Sequence, residues 1–515
     1  MTKNLEHKPY GANPEGYTGV KRSLLLAGGG MRVAYQAGVI LALIESGITF
    51  SHVDGTSGGS INMSMLFSGL SPEEMCDRWR SLKVKDFVSL MPLQKYLKPN
   101  NLIAMGDADG IIEGVFPHLG IDIAKINAAI AIQGTYNLGN FSLKTNEVFP
   151  HQKIDLDLLV AGISIPILMP PVPKGEYLYT DPLWIQDTNL LEAVRRGAEE
   201  LWVVWCIGNT REYNSGLFNQ FVHMMEISAN GGLFAECDRI NEINQLILQG
   251  HSIYGHTKPI KIHLIKPTYP LPLDPDFYFG NIDAATLIDM GYADTYQYLQ
   301  TSSPQGLPFT HEITQMKENQ LGITFRETMQ GGFALNNSDP RIGEKQGKAE
   351  KTHLAMHATI NIRDLDRFIS DPNHLGSITG HIDFTPFGKN ISAKSGVFNL
   401  FSPTDQPKLK LMIYELAFTH EGQDYYLAGK KEVRDDPGFD LWSDTTTLFT
   451  QLHQGTDKSG TIVGAGILSL NVAELVKLVS TMRVTNADSL SDKTKALFDF
   501  GKFFLGELWD TYGIK

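Results

Sequence analysis

Between residues 22 and about 300, short apolar runs alternate with helical ones, and twice in succession a short run passes through a glycine-rich turn into a helical stretch. Residues 22–26 (RSLLL) read as a buried strand, followed by Gly28, Gly29 and Gly30 and by a nearly all-apolar helix over 33–44 that Gly47 closes. Residues 50–53 read as a second strand, which runs into Gly55-Thr56-Ser57-Gly58-Gly59 and a helix-compatible stretch over 60–67. Two strand-turn-helix units in a row place both strands parallel in one sheet, with their turns together at its carboxyl edge. The pattern therefore predicts an α/β fold for 22–300, with a mainly parallel sheet flanked by helices.

The remaining elements follow from local signals. Ser71, with Pro72 at N1 and Glu74 at N3, opens a capped helix over 71–82. Leu190, Leu191 and Val194 form one helical face ahead of a central strand at 201–207 (LWVVWCI). Residues 1–21 form a polar arm, and 301–319, with Ser302, Ser303, Pro304, Gly306 and Pro308, read as a linker. Beyond it, 357–362, 378–384, 409–418 and 461–470 are β-branched or alternating runs, so 320–515 is expected to be a β-rich sandwich or barrel closed by two helices. Asn471 with Glu474 caps the first of these helices. The second begins near Ser491 and carries Leu497, Phe498, Gly501, Phe504, Leu505, Leu508, Trp509 and Tyr512 on one face. That face is expected to dock on the β domain rather than rest on a membrane.

Composition removes several function classes. With 44 basic against 57 acidic residues the net charge is −13, which disfavours nucleic acid and supplies no polybasic membrane anchor. Three scattered cysteines, Cys76, Cys206 and Cys237, make neither a disulfide framework nor a CxxC metal site and fit a reducing compartment. The N-terminus has no continuous apolar core of a signal peptide, and 158–172 is too short and too broken by proline to span a bilayer. A cytoplasmic location is expected, with leaderless secretion left open.

The chemistry gathers at the two glycine turns. Gly55-Thr56-Ser57-Gly58-Gly59 fits G-x-S-x-G, in which glycines on both sides of the serine permit a strained turn that lifts the hydroxyl clear of the sheet. Gly28-Gly29-Gly30-Met31-Arg32 can converge backbone N–H groups on an anion at a helix start. It lacks a Walker Gly-Lys-Ser/Thr ending, and the G-x-G-x-x-G spacing fails at Val33, so an oxyanion hole is the better reading than a phosphate cradle.

These blocks resemble the patatin-like phospholipase family over residues 22–300. In that family D-G-G-G-x-R-G supplies the oxyanion hole, G-x-S-x-G the nucleophile and D-G-[GA] the aspartate of a Ser–Asp dyad. Carried across, the resemblance implies Gly28, Gly29 and Gly30 as oxyanion donors, Arg32 beside them, Ser57 as nucleophile within the turn of Gly55 and Gly59, and Asp181 of Thr180-Asp181-Pro182 as the base. The segment from Ala161 to Val172, with Pro166, Pro170 and Pro171, resembles the stretch upstream of that aspartate. The implied activity is acyl hydrolysis of a lipid, as a phospholipase A or lipid esterase, with transient lipid-surface contact and with no cofactor and no metal. Ala27, Val33 and the pair Pro182-Leu183 depart from the pattern, and Pro182 removes an amide N–H beside the base. Arg32 has two readings, contact with a lipid phosphate or head group and a salt bridge that fixes the loop.

Two rival functions stay open at this point. His223, His251, His256 and His263 follow Asp181 in the order of a Ser-Asp-His esterase, and a catalytically impaired lipid-binding protein would keep the fold without the chemistry. Other clusters read as structural. Asp435, Asp436, Asp440 and Asp444 lack EF-hand spacing, and His353, His357, His374 and His381 show no metal-ligand rhythm and are expected on strand surface or in the core. Residues 87–93 read as buried loop in preference to a lid. The region from 322 on loosely resembles a β-rich segment that accompanies bacterial glucose-methanol-choline type oxidoreductases, through Phe325-Arg326-Glu327-Thr328-Met329 and 376–380, without implying redox chemistry. It is expected to help present or select the lipid.

Overall fold

Leu24 and Leu26 are buried on one face of a central strand while Leu25 is buried on the other, so the sheet is covered on both sides. The structure, a computed structural model, describes residues 14, 17–83, 103–207, 213, 215–268, 271, 282–306, 320–406, 409–434 and 445–512. Among the described residues the chain divides into two compact units, one up to 306 and one from 320 on. Residues 87–93 and the four clustered aspartates from 435 to 444 lie outside the described residues.

In the first unit, β1 (Arg22–Leu26), β2 (His52–Thr56), β3 (Gln133–Asn140), β7 (Glu200–Val204) and β8 (Lys261–Ile265) run parallel in the order β3-β2-β1-β7-β8. Three antiparallel strands extend the far side: β4 (Thr145–Pro150) and β6 (Tyr177–Thr180) on β3, and β5 (Val172–Lys174) on β6. The sheet is thus mixed with a parallel centre. The β3–β6 pairing is short, Gly139 with Thr180 and Asn140 with Tyr179, and it delivers residue 181 to the carboxyl edge.

Helix α1 (Ala34–Glu45) is buried along nearly its whole length between the sheet and α7 (Ala284–Thr301). This explains why it reads as apolar on all sides. Helix α2 (Gly58–Phe67) follows β2 directly, and α3 (Pro72–Ser81) opens on the expected capping box, with Glu74 N–H donating to Ser71 Oγ at 3.2 Å and Ser71 N–H to Glu74 Oε2 at 2.9 Å. On the opposite face lie α5 (Leu190–Arg195) and the 32-residue α6 (Leu217–Leu248); α4 (Leu156–Ala161) precedes β5. The second strand begins two residues later than the expected 50–53 and includes Asp54, Gly55 and Thr56. These polar positions are strand because Asp54 is satisfied inside the sheet by Thr135 Oγ1 and by Asn137 Nδ2 at 2.6 Å.

The second unit is a closed barrel. Among the described residues eight antiparallel strands form it: β9 (Gly322–Leu335), β10 (His353–Ile362), β11 (Leu375–Phe384), β12 (Gly388–Pro403), β13 (Leu409–His420), β14 (Gln423–Arg434), β15 (Thr447–Gln454) and β16 (Thr461–Ser469). Strand β9 closes it by pairing with both β10 and β16, and β17 (Arg483–Thr485) adds to the end of β9. On β10 the side chains of Leu354, Met356, Ala358, Ile360 and Ile362 belong to the core, so the odd positions face outward. Helices α8 (Pro340–Glu350) and α9 (Leu365–Ser370) lie between strands, and α10 (Val472–Thr481) and α11 (Leu490–Tyr512) follow the barrel.

Helix α11 docks on the barrel by a stripe that shares Phe504 with the expected one but is otherwise rotated from it. Ala496 and Phe500 are buried in its core, Phe503 and Phe504 pack against it, and Lys410 pairs with Glu507. Leu497, Phe498 and Leu505 of the expected face are exposed. Phe500→Ala is expected to destabilise the second unit by about 3 kcal/mol, whereas Phe498→Ala should stay within about 0.5 kcal/mol. Thermal unfolding of the full chain distinguishes the two stripes. Among the described residues no helix is long and apolar enough to cross a membrane.

Candidate active site

Ser57 sits at the junction of β2 and α2 with φ 50° and ψ −131°, a conformation that an L-residue adopts only under constraint. The constraint is visible next door. A side chain at Gly59 would place its Cβ 2.1 Å from the Leu26 carbonyl oxygen, so only glycine lets α2 start this close to the end of β1. Ser60 Oγ donates to the Ser57 carbonyl at 2.6 Å and holds the first turn. The serine is buried and its hydroxyl donates to Asp181 Oδ2 at 2.6 Å.

Asp181 follows β6 and is held by its own N–H, which donates to the Ser164 carbonyl at 3.0 Å. Its second oxygen accepts from the Leu183 N–H at 2.9 Å. Pro182 occupies the first position of a short 3-10 turn, Pro182–Trp184, where a missing N–H costs nothing. The departure from the family pattern therefore leaves the aspartate with an amide donor one residue further on. Burial pushes the Asp181 carboxyl up to about 7, against the lowering effect of its bonds from Ser57 and Leu183.

The glycine loop lies between β1 and α1. Gln36 Nε2 donates to the Ala27 carbonyl at 2.6 Å, and Asn62 Nδ2 bridges the Val33 carbonyl and Gln36 Oε1, which pins both ends of the loop. Arg32 is buried; its Nε donates to the Gly29 carbonyl at 3.0 Å and its Nη1 lies 3.8 Å from Glu226 Oε1 on α6. These contacts hold the guanidinium against the loop.

The loop also meets a residue that sequence reasoning missed. Gly28 N–H donates to Asp187 Oδ2 at 3.0 Å, and a Cβ on Gly28 would lie 2.3 Å from Asp187 Oδ1 and 3.0 Å from Ser57 Cβ. Asp187 is buried, its Oδ1 has no hydrogen-bond partner, and burial together with nearby Asp181 raises its carboxyl well above the ordinary value. The segment carrying it is clamped from α6. Glu236 accepts from the Leu190 N–H at 2.8 Å and from Gln186 Nε2 at 2.5 Å, and Ser228 Oγ donates to the Trp184 carbonyl. Asn189 ties the same segment to Asn137 at 2.8 Å, and Asn137 reaches Asp54 and Thr56 beneath the serine. Burial raises Asp54 to about 7 and Glu236 to about 8. The only sequence signal for Asp187 is a polar run, 186–189, between a turn and a helix.

The histidines of the rival triad are engaged elsewhere. His223 pairs with Glu226 and stacks on Tyr213, His256 bonds the Val194 carbonyl, His263 stacks on Trp202, and His251 is exposed.

The family model for patatin-like phospholipases matches residues 24–193. Uncharacterized NTE family proteins of Mycobacterium tuberculosis (strain CDC 1551) and Mycobacterium bovis are each 25% identical over 186 residues, a stretch that is 34% of this chain and 30% of theirs. The chain thus spans under a third of the length of these curated relatives. The crystal structure of VipD from Legionella pneumophila matches with a TM-score of 0.27 and 12% identity, covering 55% of this chain and 67% of that one. The motif blocks and their strand-turn-helix setting fall within the matched span, and residues 24–193 match the patatin-like phospholipase family model.

Proposed function

We propose that the chain is a lipid acyl hydrolase in which Ser57 is the nucleophile and Asp181 the general base. The observation that carries this reading is the 2.6 Å bond from Ser57 Oγ to a buried Asp181 at a strained strand-to-helix turn. Asp181 accepts the hydroxyl proton as Ser57 Oγ attacks the ester carbonyl, and it returns that proton to the departing alcohol. Water, deprotonated in turn by Asp181, then releases the acid from the serine ester. A carboxylate with ordinary acidity would be a poor base at neutral pH, and burial corrects this.

The oxyanion would be met by the loop of Gly28 to Gly30 with one change of donor. Because Gly28 N–H is already directed at Asp187 Oδ2, the Asp187 carboxyl, whose protonated form burial favours, would offer an Oδ1–H to the same region. Ile185 on the segment between the two aspartates, and Phe218, Met224 and Ile227 on α6, are exposed and would offer apolar contact to a lipid surface. This contact needs no basic patch.

The same occupied amide favours a second reading, a patatin-like lipid-binding protein whose oxyanion loop is blocked by Asp187. Labelling of the full chain with a fluorophosphonate serine probe separates the two. Covalent capture lost in Ser57→Ala supports the hydrolase, and no labelling of wild type favours the binding protein.

Activity and stability are expected to change in opposite directions with pH. Hydrolysis needs ionised Asp181, so kcat/KM should rise through about pH 7. Asp54, Asp181, Asp187 and Glu236 all have raised folded values, so the fold favours their protonated forms. For Asp54, Asp181 and Glu236 this contribution is complete below about pH 4 and is lost as pH rises through about 7 to 8. Buried His52 and His263, lowered to about 3 and about 4, act in the opposite direction, but only below the unfolded value of 6.5. From about pH 6.5 to 8 the carboxyls therefore dominate and Tm should fall while the rate climbs. A Tm that rises across that interval contradicts the assignment.

A further inference from the structure

We propose that the outer wall of the barrel holds one zinc-class divalent cation on His357, His381 and Asp383. No regular spacing in the sequence marks these residues; the strand register brings them together. His357 and His381 stand directly opposite one another on β10 and β11, with ring centroids 4.4 Å apart and planes at 18°. Asp383 lies two residues along β11 on the same outward face, and its Oδ2 is 3.7 Å from His357 Nε2. The three donor atoms lie within 4.8 Å of one another. Bonds of about 2.0–2.1 Å to a tetrahedral zinc place ligand atoms about 3.3 Å apart, so closure needs movements of roughly 1 Å, within reach of the broad imidazole and carboxylate torsions.

Two supporting bonds point the ligands inward. His357 Nδ1 lies 3.2 Å from Thr328 Oγ1 on β9, and with Nδ1–H donating to that hydroxyl the Nε2 lone pair faces Asp383. Asp383 Oδ1 accepts the Asn390 N–H at 2.8 Å, which leaves Oδ2 for the metal. That amide is available to a side chain because the β11–β12 ladder shifts register on both sides of the His381–Ser392 and Ile382–Ile391 pairs. Two imidazoles and one carboxylate suit a borderline cation, with water completing the shell, and they do not suit calcium or magnesium. This inference is independent of the lipid hydrolase reading and goes beyond the expectation that these histidines are strand surface or core.

Cobalt titration of the full chain at pH 7.5, followed by visible absorption, tests it. The wild type should develop one equivalent of a d–d band that zinc displaces, and its Tm should rise with zinc. His381→Ala and Asp383→Asn should weaken binding at least tenfold, and Thr328→Val, which keeps all three ligands, should weaken it by about 10–100-fold. If an alanine variant loses its metal-free Tm, the Thr328→Val result decides. Absence of saturable binding in the wild type, or unchanged affinity in His357→Ala/His381→Ala, overturns the proposal. Lipid ester hydrolysis should be unaltered in all of these variants.

Discussion

Ser57→Ala is expected to abolish ester hydrolysis and fluorophosphonate labelling while the full chain still folds. On the proposed reading the nucleophile is one atom, Ser57 Oγ, and its hydrogen bond goes to the group that would take its proton. Asp181→Asn should lower kcat by about 10²–10⁴, the range of a positioned general base, because an amide cannot accept that proton. The turn also makes a stability prediction that the chemistry alone would not. With φ at 50° and ψ at −131°, Ser57 is strained in a way that alanine shares and glycine does not. Ser57→Gly should therefore be more stable than Ser57→Ala by about 1–2 kcal/mol, although both are inactive. Equal melting temperatures would mean that the turn is relaxed, and residual turnover in both variants would assign the nucleophile elsewhere.

The second large effect is at Asp187, where the choice of replacement matters more than the loss of charge. Asp187→Ala should lower kcat by about 10²–10³, the size expected for removal of one oxyanion donor, with KM nearly unchanged. Asp187→Asn should keep the rate within about tenfold of wild type, because its carbonyl oxygen accepts the Gly28 N–H and its NH₂ donates where the protonated carboxyl did. A faster Asp187→Ala enzyme would show instead that this side chain obstructs the loop. Equal losses in the two variants would show that the working form is the carboxylate.

How far the sequence could be read depended on the range of the interactions involved. The turns at 28–30 and 55–59 were legible because glycines, flanking apolar runs and the serine all lie within a few residues of each other. Asp181 is 124 residues from Ser57, and the resemblance pointed to it where periodicity had no means to. Asp187, Glu236 and Asp54 escaped notice because their significance is created by burial, which brings α6, the 186–189 segment and β2 under one site. In the barrel, the runs at 357–362, 378–384, 409–418 and 461–470 marked four strands, whereas β9, β12, β14 and β15 were overlooked; glycines at 331 and 332 on β9 and lysines at 430 and 431 on β14 interrupt the apolar alternation. Helix α11 misled for the opposite reason. It is apolar on two stripes, and only the barrel decides between Phe500 and Phe498. His357 and His381 are 24 positions apart in sequence yet direct cross-strand neighbours, a relation that exists only once the register is set.

The way the barrel closes bears on how the chain is made. Strand β9 must pair with β10, its near neighbour, and with β16, which ends at Ser469. A ribosome therefore delivers the first strand long before its last partner, and until then β9 presents an unsatisfied row of amides and carbonyls. Contacts of such sequence separation make folding slow relative to local helix formation. The first unit, whose parallel core is complete by β8, can mature while synthesis continues, and the barrel must wait until Ser469 has been made.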